Sequence, residues 1–129
     1  VAQVAMGADP AQLVRALKEA ESYQGPSVII AYTPCTAHGI RAGMAQVQEE
    51  MKRAVDSGYW LLYRYDPRRE HPLQLDSKAP VLEYESFLDG ETRYAALRRT
   101  FPENARRLFA QGSADAAARY VRYQKLSQD

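Results

Sequence analysis

The fold is decided by the stretch Pro-Ser-Val-Ile-Ile-Ala-Tyr-Thr-Pro-Cys-Thr-Ala-His-Gly-Ile, residues 26–40. Its first half, residues 27–32, is a continuous β-branched run without alternation. Such a run is typical of a strand buried on both faces, as in a parallel sheet covered by helices. We expect a helix to begin at Gly39, so the only cysteine of the chain, Cys35, falls in the loop between strand and helix. In open α/β sheets, ligands bind at such loops, beyond the carboxyl ends of central strands.

The segments on either side extend the same order. Residues 1–6 form a short apolar strand candidate, and the run Asp9-Pro10-Ala11-Gln12 has the capping residue and the proline of a helix start. Residues 39–57 carry an apolar stripe at helical spacing, and residues 59–65 form a third strand candidate. The alternation of strands and helices predicts an α/β fold with right-handed crossovers and a parallel sheet.

The second half of the chain is predicted to be helical. Residues 68–80 are irregular and contain two proline breakers. Residues 83–99 predict one helix broken near Gly90, or two short ones, and a long helix follows from Pro102 to about Leu126. One stripe of the long helix is predicted to face the core: Ala105, Leu108, Phe109, Gly112, Ala116, Tyr120 and Tyr123. We therefore divide the chain into an α/β part, residues 1–80, and a helical C-terminal extension, residues 81–129, that packs on it.

Composition narrows the class of protein. The 129 residues are 46% apolar and 26% charged, which suits one domain with one core. A net charge of +1 gives no electrostatic case for a nucleic-acid or membrane partner. A lone cysteine fits a reducing compartment, so we expect a cytoplasmic protein. Because the chain opens in a strand and lacks an initiator methionine, we expect a C-terminal piece of a longer protein.

Three interpretations of Cys35 stay open on the residues alone. A single cysteine closes no internal disulfide, and structural metal sites take about four ligands. Cys35 is therefore a small buried hydrophobe, a nucleophile paired with His38, or one thiolate ligand of a centre whose other ligands lie outside the chain. A position at a helix N-terminus would lower the pKa of the thiol and favour the thiolate.

The other polar and aromatic residues have simpler interpretations. His38 is expected to be a helix-entry residue bonded to backbone or water, and the alternative is a hydrogen bond to a metal-bound sulfur that tunes its reduction potential. Trp60 and its tyrosine neighbours are expected to form an aromatic strand packed on a helix. The loop residues 76–78 predict capping or an interdomain contact, and the arginines of the second half predict a solvated face. None of these is assigned a catalytic role.

Several motifs together resemble one family. They are Val-Ala-Gln-Val-Ala-Met-Gly (1–7), Glu-Ala-Glu-Ser-Tyr-Gln-Gly-Pro-Ser-Val-Ile-Ile-Ala-Tyr (19–32), Cys35 with His38-Gly39-Ile40, Gly-Tyr-Trp-Leu-Leu-Tyr-Arg-Tyr-Asp-Pro (58–67), Leu-Asp-Ser-Lys-Ala-Pro (75–80) and Arg-Tyr-Ala-Ala-Leu (93–97). The chain resembles the C-terminal end of the pyruvate:ferredoxin (flavodoxin) oxidoreductases. The resemblance implies the second half of a thiamine-diphosphate-binding fold.

The resemblance also implies a role for Cys35. The matching cysteine of the family is the fourth ligand of the [4Fe-4S] cluster nearest the thiamine, and the other three ligands come from a ferredoxin-like domain earlier in the chain. The family motif that holds Mg²⁺ and the diphosphate is absent here. Thiamine diphosphate and Mg²⁺ are therefore expected to bind mainly to residues upstream, and the isolated chain is expected to be inactive.

The implied function is oxidative decarboxylation of pyruvate with coenzyme A to acetyl-CoA and CO₂. Electrons would leave through iron-sulfur clusters to ferredoxin or flavodoxin. Besides these partners we expect the rest of the same polypeptide and a homodimer. Two alternatives stay open: an oxidoreductase for another 2-oxoacid, and a non-catalytic α/β module with a structural cysteine.

Overall fold

The computed structural model describes residues 1–129 as one sheet with helices around it. Its elements are β1 (Ala2–Val4), α1 (Pro10–Ser22), β2 (Ile29–Ala31), α2 (Val47–Asp56), β3 (Tyr63–Tyr65), β4 (Leu73–Leu75), α3 (Tyr84–Gly90), α4 (Thr92–Thr100) and α5 (Pro102–Leu126). The predicted α/β class is confirmed, and so is a helical C-terminal tail. The fold is consistent with part of a thiamine-diphosphate-binding domain.

The sheet is mixed rather than wholly parallel. Its four strands lie in the order β2-β1-β3-β4. β1 and β2 are parallel, with Ala2 opposite Ile29, whereas β3 is antiparallel to β1 and β4 is antiparallel to β3. The parallel prediction therefore holds for one pair of strands. β4 lies in the segment predicted to be irregular, where a short connection from β3 suits an antiparallel partner.

The strand β2 is an edge strand, so the prediction of a central strand buried on both faces is wrong for this chain. Only β1 pairs with it. The side chains of Val28 and Ile30 are 53% and 43% exposed, because no further strand or helix of the chain covers them. A continuous apolar run therefore does not by itself place a strand in the centre of a sheet.

The helix after Cys35 begins later than predicted. Gly39 has a φ of +72°, in the left-handed region, and forms a turn instead of a helix start. The 3-10 turn Met44–Gln46 comes next, and α2 begins at Val47. The start of α1 is as predicted: the Asp9 side chain accepts a hydrogen bond from the Gln12 backbone N–H at 2.8 Å.

The largest part of the core lies where α3, α4 and α5 meet α2. Its buried members are Ala54, Phe87, Leu88, Ala105 and Phe109. Aromatic side chains surround them, and the ring of Tyr59 lies 4.7 Å from that of Phe87. Trp60 packs on Tyr32 and donates from its indole N–H to the Val4 carbonyl at 3.0 Å. These aromatic residues therefore serve packing, as predicted, although only residues 63–65 of the segment form a strand.

The helices α3 and α4 confirm the expectation of a helical region interrupted near Gly90. α5 begins and ends at the predicted residues, Pro102 and Leu126. Its buried side chains are Ala105, Phe109 and Ala116, three of the predicted stripe. The division of the chain at residue 80 stays a prediction. None of the helices is long and apolar enough to cross a lipid bilayer.

Candidate functional site

Cys35 is exposed at the surface of the loop that follows β2. Its neighbours Thr36, Ala37 and His38 are also exposed, while Pro34 before it is buried. The interpretation of Cys35 as a small buried hydrophobe is therefore wrong. An exposed thiol is available to a ligand or partner outside the chain.

The loop brings His38 onto Cys35. The Sγ of Cys35 lies 3.1 Å from Nδ1 of His38, and the Gly39 N–H donates to the Cys35 carbonyl at 2.8 Å. This second bond closes the turn. A hydrogen bond from His38, together with backbone N–H groups of His38 and Ala37, lowers the pKa of Cys35 to about 7. Near neutral pH a large part of the sulfur is therefore thiolate, the form that binds metal.

The cause of the lowered pKa differs from the predicted one. The sequence predicted a helix N-terminus beside Cys35, but α2 begins only at Val47. The donors are instead the imidazole and the backbone N–H groups of the loop itself. His38 is thus not the helix-entry residue that we expected. No third side chain hydrogen-bonds to its ring, so a nucleophile with an oriented base is not assembled here.

A cavity of about 430 Å³ lies beside the loop. It is lined by Cys35, by two residues that follow β2, by residues in α4 and just before it, and by Tyr59 of the core: Tyr32, Thr33, Tyr59, Glu91, Arg93, Tyr94 and Leu97. The hydroxyl groups of Tyr59 and Tyr94 are 2.9 Å apart, and burial raises the pKa of Tyr59. These two phenols therefore line the cavity as neutral groups at physiological pH, beside the side chains of Glu91 and Arg93.

Two carboxyl groups near this cavity were missed by the sequence analysis. Glu50 of α2 is 4% exposed, and its Oε1 has no hydrogen-bond partner. Burial and the neighbouring Glu91 raise the pKa of Glu50, and burial raises that of Glu91. The Tyr32 hydroxyl donates to Glu91 at 3.1 Å. The sequence held a signal, because Glu50 falls on the apolar stripe of its helix next to Met51.

The polar residues 76–78 have a structural role in this chain. Asp76 accepts two hydrogen bonds from the Arg64 guanidinium, each 2.8 Å long. The Ser77 hydroxyl accepts from the Leu62 N–H at 2.7 Å. Arg64 also pairs with Glu19 of α1, so this network joins the sheet to its covering helix. Lys78 is exposed.

The arginines of the second half divide into two groups. Arg98 pairs with Glu85 and Asp89, and Arg119 donates to the carbonyl groups of Gly58 and Tyr59. Arg93, Arg99 and Arg107 are exposed without an ion pair, which agrees with the predicted solvated face.

The chain alone does not assemble a metal centre. No group of three or more His, Cys, Asp or Glu side chains is arranged to hold a metal ion. A [4Fe-4S] cluster takes four thiolates, and the chain has one cysteine. The residues present fit such a cluster as the source of one ligand. The sulfur is exposed, and it lies 3.1 Å from Nδ1 of His38.

No protein-family model matches the chain. It is 52% identical over 99% of its length to a pyruvate:ferredoxin oxidoreductase of Moorella thermoacetica. It is 50% identical over 98% of its length to a pyruvate-flavodoxin oxidoreductase of Klebsiella pneumoniae. A mitochondrial pyruvate dehydrogenase [NADP(+)] of Euglena gracilis is 44% identical over 98% of the chain. The chain spans about a tenth of the first two relatives, 11% of each, and 7% of the third.

Proposed function

We propose that this homologue of one segment of the pyruvate:ferredoxin and pyruvate-flavodoxin oxidoreductases supplies Cys35 as one thiolate ligand of a [4Fe-4S] cluster in a longer enzyme of that kind. The observation that carries the proposal is the exposed sulfur, which lies 3.1 Å from Nδ1 of His38 in a loop that lowers the pKa of the thiol to about 7. The other three ligands belong to another part of the polypeptide.

One loop residue binds the cluster, and two others fix the backbone on either side of it. Cys35 binds iron through its thiolate. Pro34 is buried and anchors the chain before the ligand, and Gly39 turns the chain immediately after His38. When bound, the cluster takes up and releases single electrons. The N–H donors around Sγ stabilise the negative charge on the ligand sulfur and so lower the cost of deprotonating it at neutral pH.

For the full-length protein we assign oxidative decarboxylation of pyruvate with coenzyme A to acetyl-CoA and CO₂. The names of the relatives agree on pyruvate and differ in the acceptor, which supports pyruvate as the substrate. Ferredoxin or flavodoxin is the acceptor in this proposal. Thiamine diphosphate and Mg²⁺ bind to residues outside this chain, and the enzyme is a cytoplasmic homodimer.

The decisive experiment measures iron, acid-labile sulfide and low-temperature EPR signals in the full-length protein. Cys35→Ser and Cys35→Ala are compared with Thr36→Ala, which changes an exposed neighbour of the ligand. Alanine is included because a serine oxygen is itself able to bind iron. We expect both cysteine variants to lose one cluster, about four iron atoms per chain, and its EPR signal. Thr36→Ala keeps full iron. Unchanged iron and signals in Cys35→Ala would exclude Cys35 as a ligand.

The activity itself is tested with the same proteins. The unmodified enzyme is expected to form acetyl-CoA from pyruvate and coenzyme A while it reduces ferredoxin or flavodoxin. Cys35→Ala is expected to lose acceptor reduction but still to release CO₂ from pyruvate, because the chemistry at the thiamine does not use this residue. A preference for another 2-oxoacid over pyruvate would replace the substrate assignment. The absence of any 2-oxoacid oxidation would leave a non-catalytic module.

A further inference from the structure

We propose that His38 donates a hydrogen bond from its Nδ1–H to the Cys35 sulfur in the cluster-bound enzyme and thereby raises the reduction potential of that cluster. This inference rests on the proposed function. His38 acts through Cys35, so it is a positioning residue and not a catalytic one.

The backbone of the loop holds His38 in place for this contact. The Gly39 N–H donates to the Cys35 carbonyl, which closes a turn from the ligand to Gly39. The positive φ of Gly39 sends the chain back right after His38. Within that turn the imidazole Nδ1 lies 3.1 Å from Sγ. This distance is well within the range of a hydrogen bond to sulfur.

The imidazole is the one donor to Sγ that belongs to a side chain. The other groups that favour negative charge on Sγ are the backbone N–H groups of Ala37 and His38, which any residue except proline would supply. The side chain at position 38 therefore determines whether this sulfur has a side-chain donor in addition to the backbone groups. No other residue of the chain hydrogen-bonds to the His38 ring, so nothing in the chain competes for Nδ1.

The direction of the effect follows from charge. A reduced cluster carries one more electron than an oxidised one, and part of that charge lies on its sulfur ligands. A donor to the ligand sulfur stabilises the reduced state more than the oxidised state. Hydrogen bonds to the sulfurs are among the factors that set cluster potentials. A neutral imidazole with its proton on Nδ1 is sufficient, so the effect requires no change of charge on His38.

The test compares variants that match in shape and differ in the donor. In His38→Asn the side-chain amide has the same distance from the backbone as Nδ1, so it keeps a donor. His38→Leu has nearly the same shape as Asn without the donor, and His38→Ala is made alongside as a second donor-free variant. His71→Leu, at the other, exposed histidine, is the control for loss of an imidazole.

Each full-length protein is assayed for iron and sulfide and titrated with reductant while the EPR signals of its clusters are followed. We expect His38→Leu and His38→Ala to keep their iron and to shift the midpoint potential of one cluster to a more negative value. His38→Asn is expected to recover most of that shift, and His71→Leu to cause none. The affected signal should be the one that Cys35→Ala abolishes.

The outcomes separate this inference from the proposed function. If Cys35→Ala abolishes a cluster but the potentials of His38→Leu and of the unmodified enzyme are equal, the role of His38 is wrong and the ligand role of Cys35 stands. If Asn and Leu shift the potential equally, shape rather than hydrogen bonding is responsible, and the inference is again overturned. If Cys35→Ala keeps every cluster, both proposals fail together.

Discussion

The helical core and the Cys35 loop are held in place by different means. In the core, Phe87 of α3, Ala54 of α2 and Ala105 of α5 are completely buried and belong to one packed cluster. In the loop, residues 35–38 are all exposed, and order comes from the two ends. Pro34 is buried at one end, and at the other the Arg41 N–H donates to the Gly90 carbonyl at 2.8 Å. The core contains its own packing partners, whereas the loop leaves the side chains of residues 35–38 exposed.

Removing a core side chain is expected to have the largest effect on the difference between the two regions. Phe87→Ala deletes a fully buried ring. We expect the free energy required to open α3 and α5 to fall by about 3–5 kcal/mol. Hydrogen–deuterium exchange of the full-length protein measures this as several hundredfold faster exchange in those helices. The exchange of the 35–41 segment should change far less.

Phe101→Ala is the matched control, because the Phe101 side chain is 57% exposed. It is expected to change the opening free energy by no more than about 0.5 kcal/mol. Equal effects of the two substitutions would mean that the core does not depend on Phe87. Faster exchange throughout the loop in Phe87→Ala would contradict the independence of the two regions.

The next effect concerns the chemistry of the loop. In protein from which the clusters have been removed, the pKa of about 7 predicts that alkylation of Cys35 reaches half its maximal rate near pH 7. Below that pH the thiolate fraction falls about tenfold per unit. His38→Leu removes the main cause of the lowered pKa. Its alkylation at pH 7 should be about tenfold slower, because the pKa returns toward the ordinary value of about 8.5.

Site-specific alkylation is followed by mass spectrometry of the peptide that contains Cys35. His71→Leu again serves as control, since His71 lies in another loop. A half-maximal rate near pH 8.5 in the unmodified protein would show that the loop does not stabilise the thiolate in solution.

A smaller effect belongs to the carboxyl pair that lies between the two regions. The pKa values of Glu50 and Glu91 are raised in the folded state. Their protonated form therefore contributes stability that is fully present below about pH 4.3, the unfolded value, and is lost as the pH rises through the folded values. Glu91→Gln keeps an acceptor for Tyr32 and removes the repulsion from Glu50.

We expect Glu91→Gln to stabilise the contact of α2 with α3 at pH 7 by about 1–2 kcal/mol. It should also reduce the loss of protection with rising pH, and the part that remains comes from the burial of Glu50. Hydrogen–deuterium exchange of α2 as a function of pH checks both statements. Glu49→Gln, an exposed neighbour on the same helix, is the control. Slower exchange in the control than in Glu91→Gln would assign the effect to overall charge.

The sequence predicted the elements whose causes are local. Asp9 and Pro10 define the start of α1, and the stripe of α5 defines a helix with the predicted bounds. Each follows from capping or from spacing within about one turn of helix. The position of Cys35 in a loop after a strand was predicted for the same reason.

The wrong predictions concern burial, strand direction and a side-chain contact, which depend on residues distant in the sequence or on the conformation of one loop. The burial of β2 depends on a neighbour that this chain lacks, and the antiparallel direction of β3 depends on how the chain returns after α2. The contact of His38 with Cys35 depends on the left-handed turn at Gly39, which delays the helix. A glycine in a loop is compatible with a helix start or with a turn, so spacing alone did not distinguish them.

The smallest expected effect tests that turn directly. Gly39 adopts a φ of +72°, and a Cβ at this position would meet only Met44 Sδ, at 4.0 Å, so the strain of Gly39→Ala comes from the backbone alone. An L-residue with a side chain in this conformation costs about 1 kcal/mol, and asparagine costs less. Gly39→Ala should therefore speed exchange in the 35–41 segment about fivefold, and Gly39→Asn by a smaller factor. The core helices should not respond to either change, because the ends of the loop, not its interior, connect it to them. If Gly39→Ala also loosened α3 or α5, the loop would be part of the same cooperative unit as the core, and the contrast between the two regions would not hold.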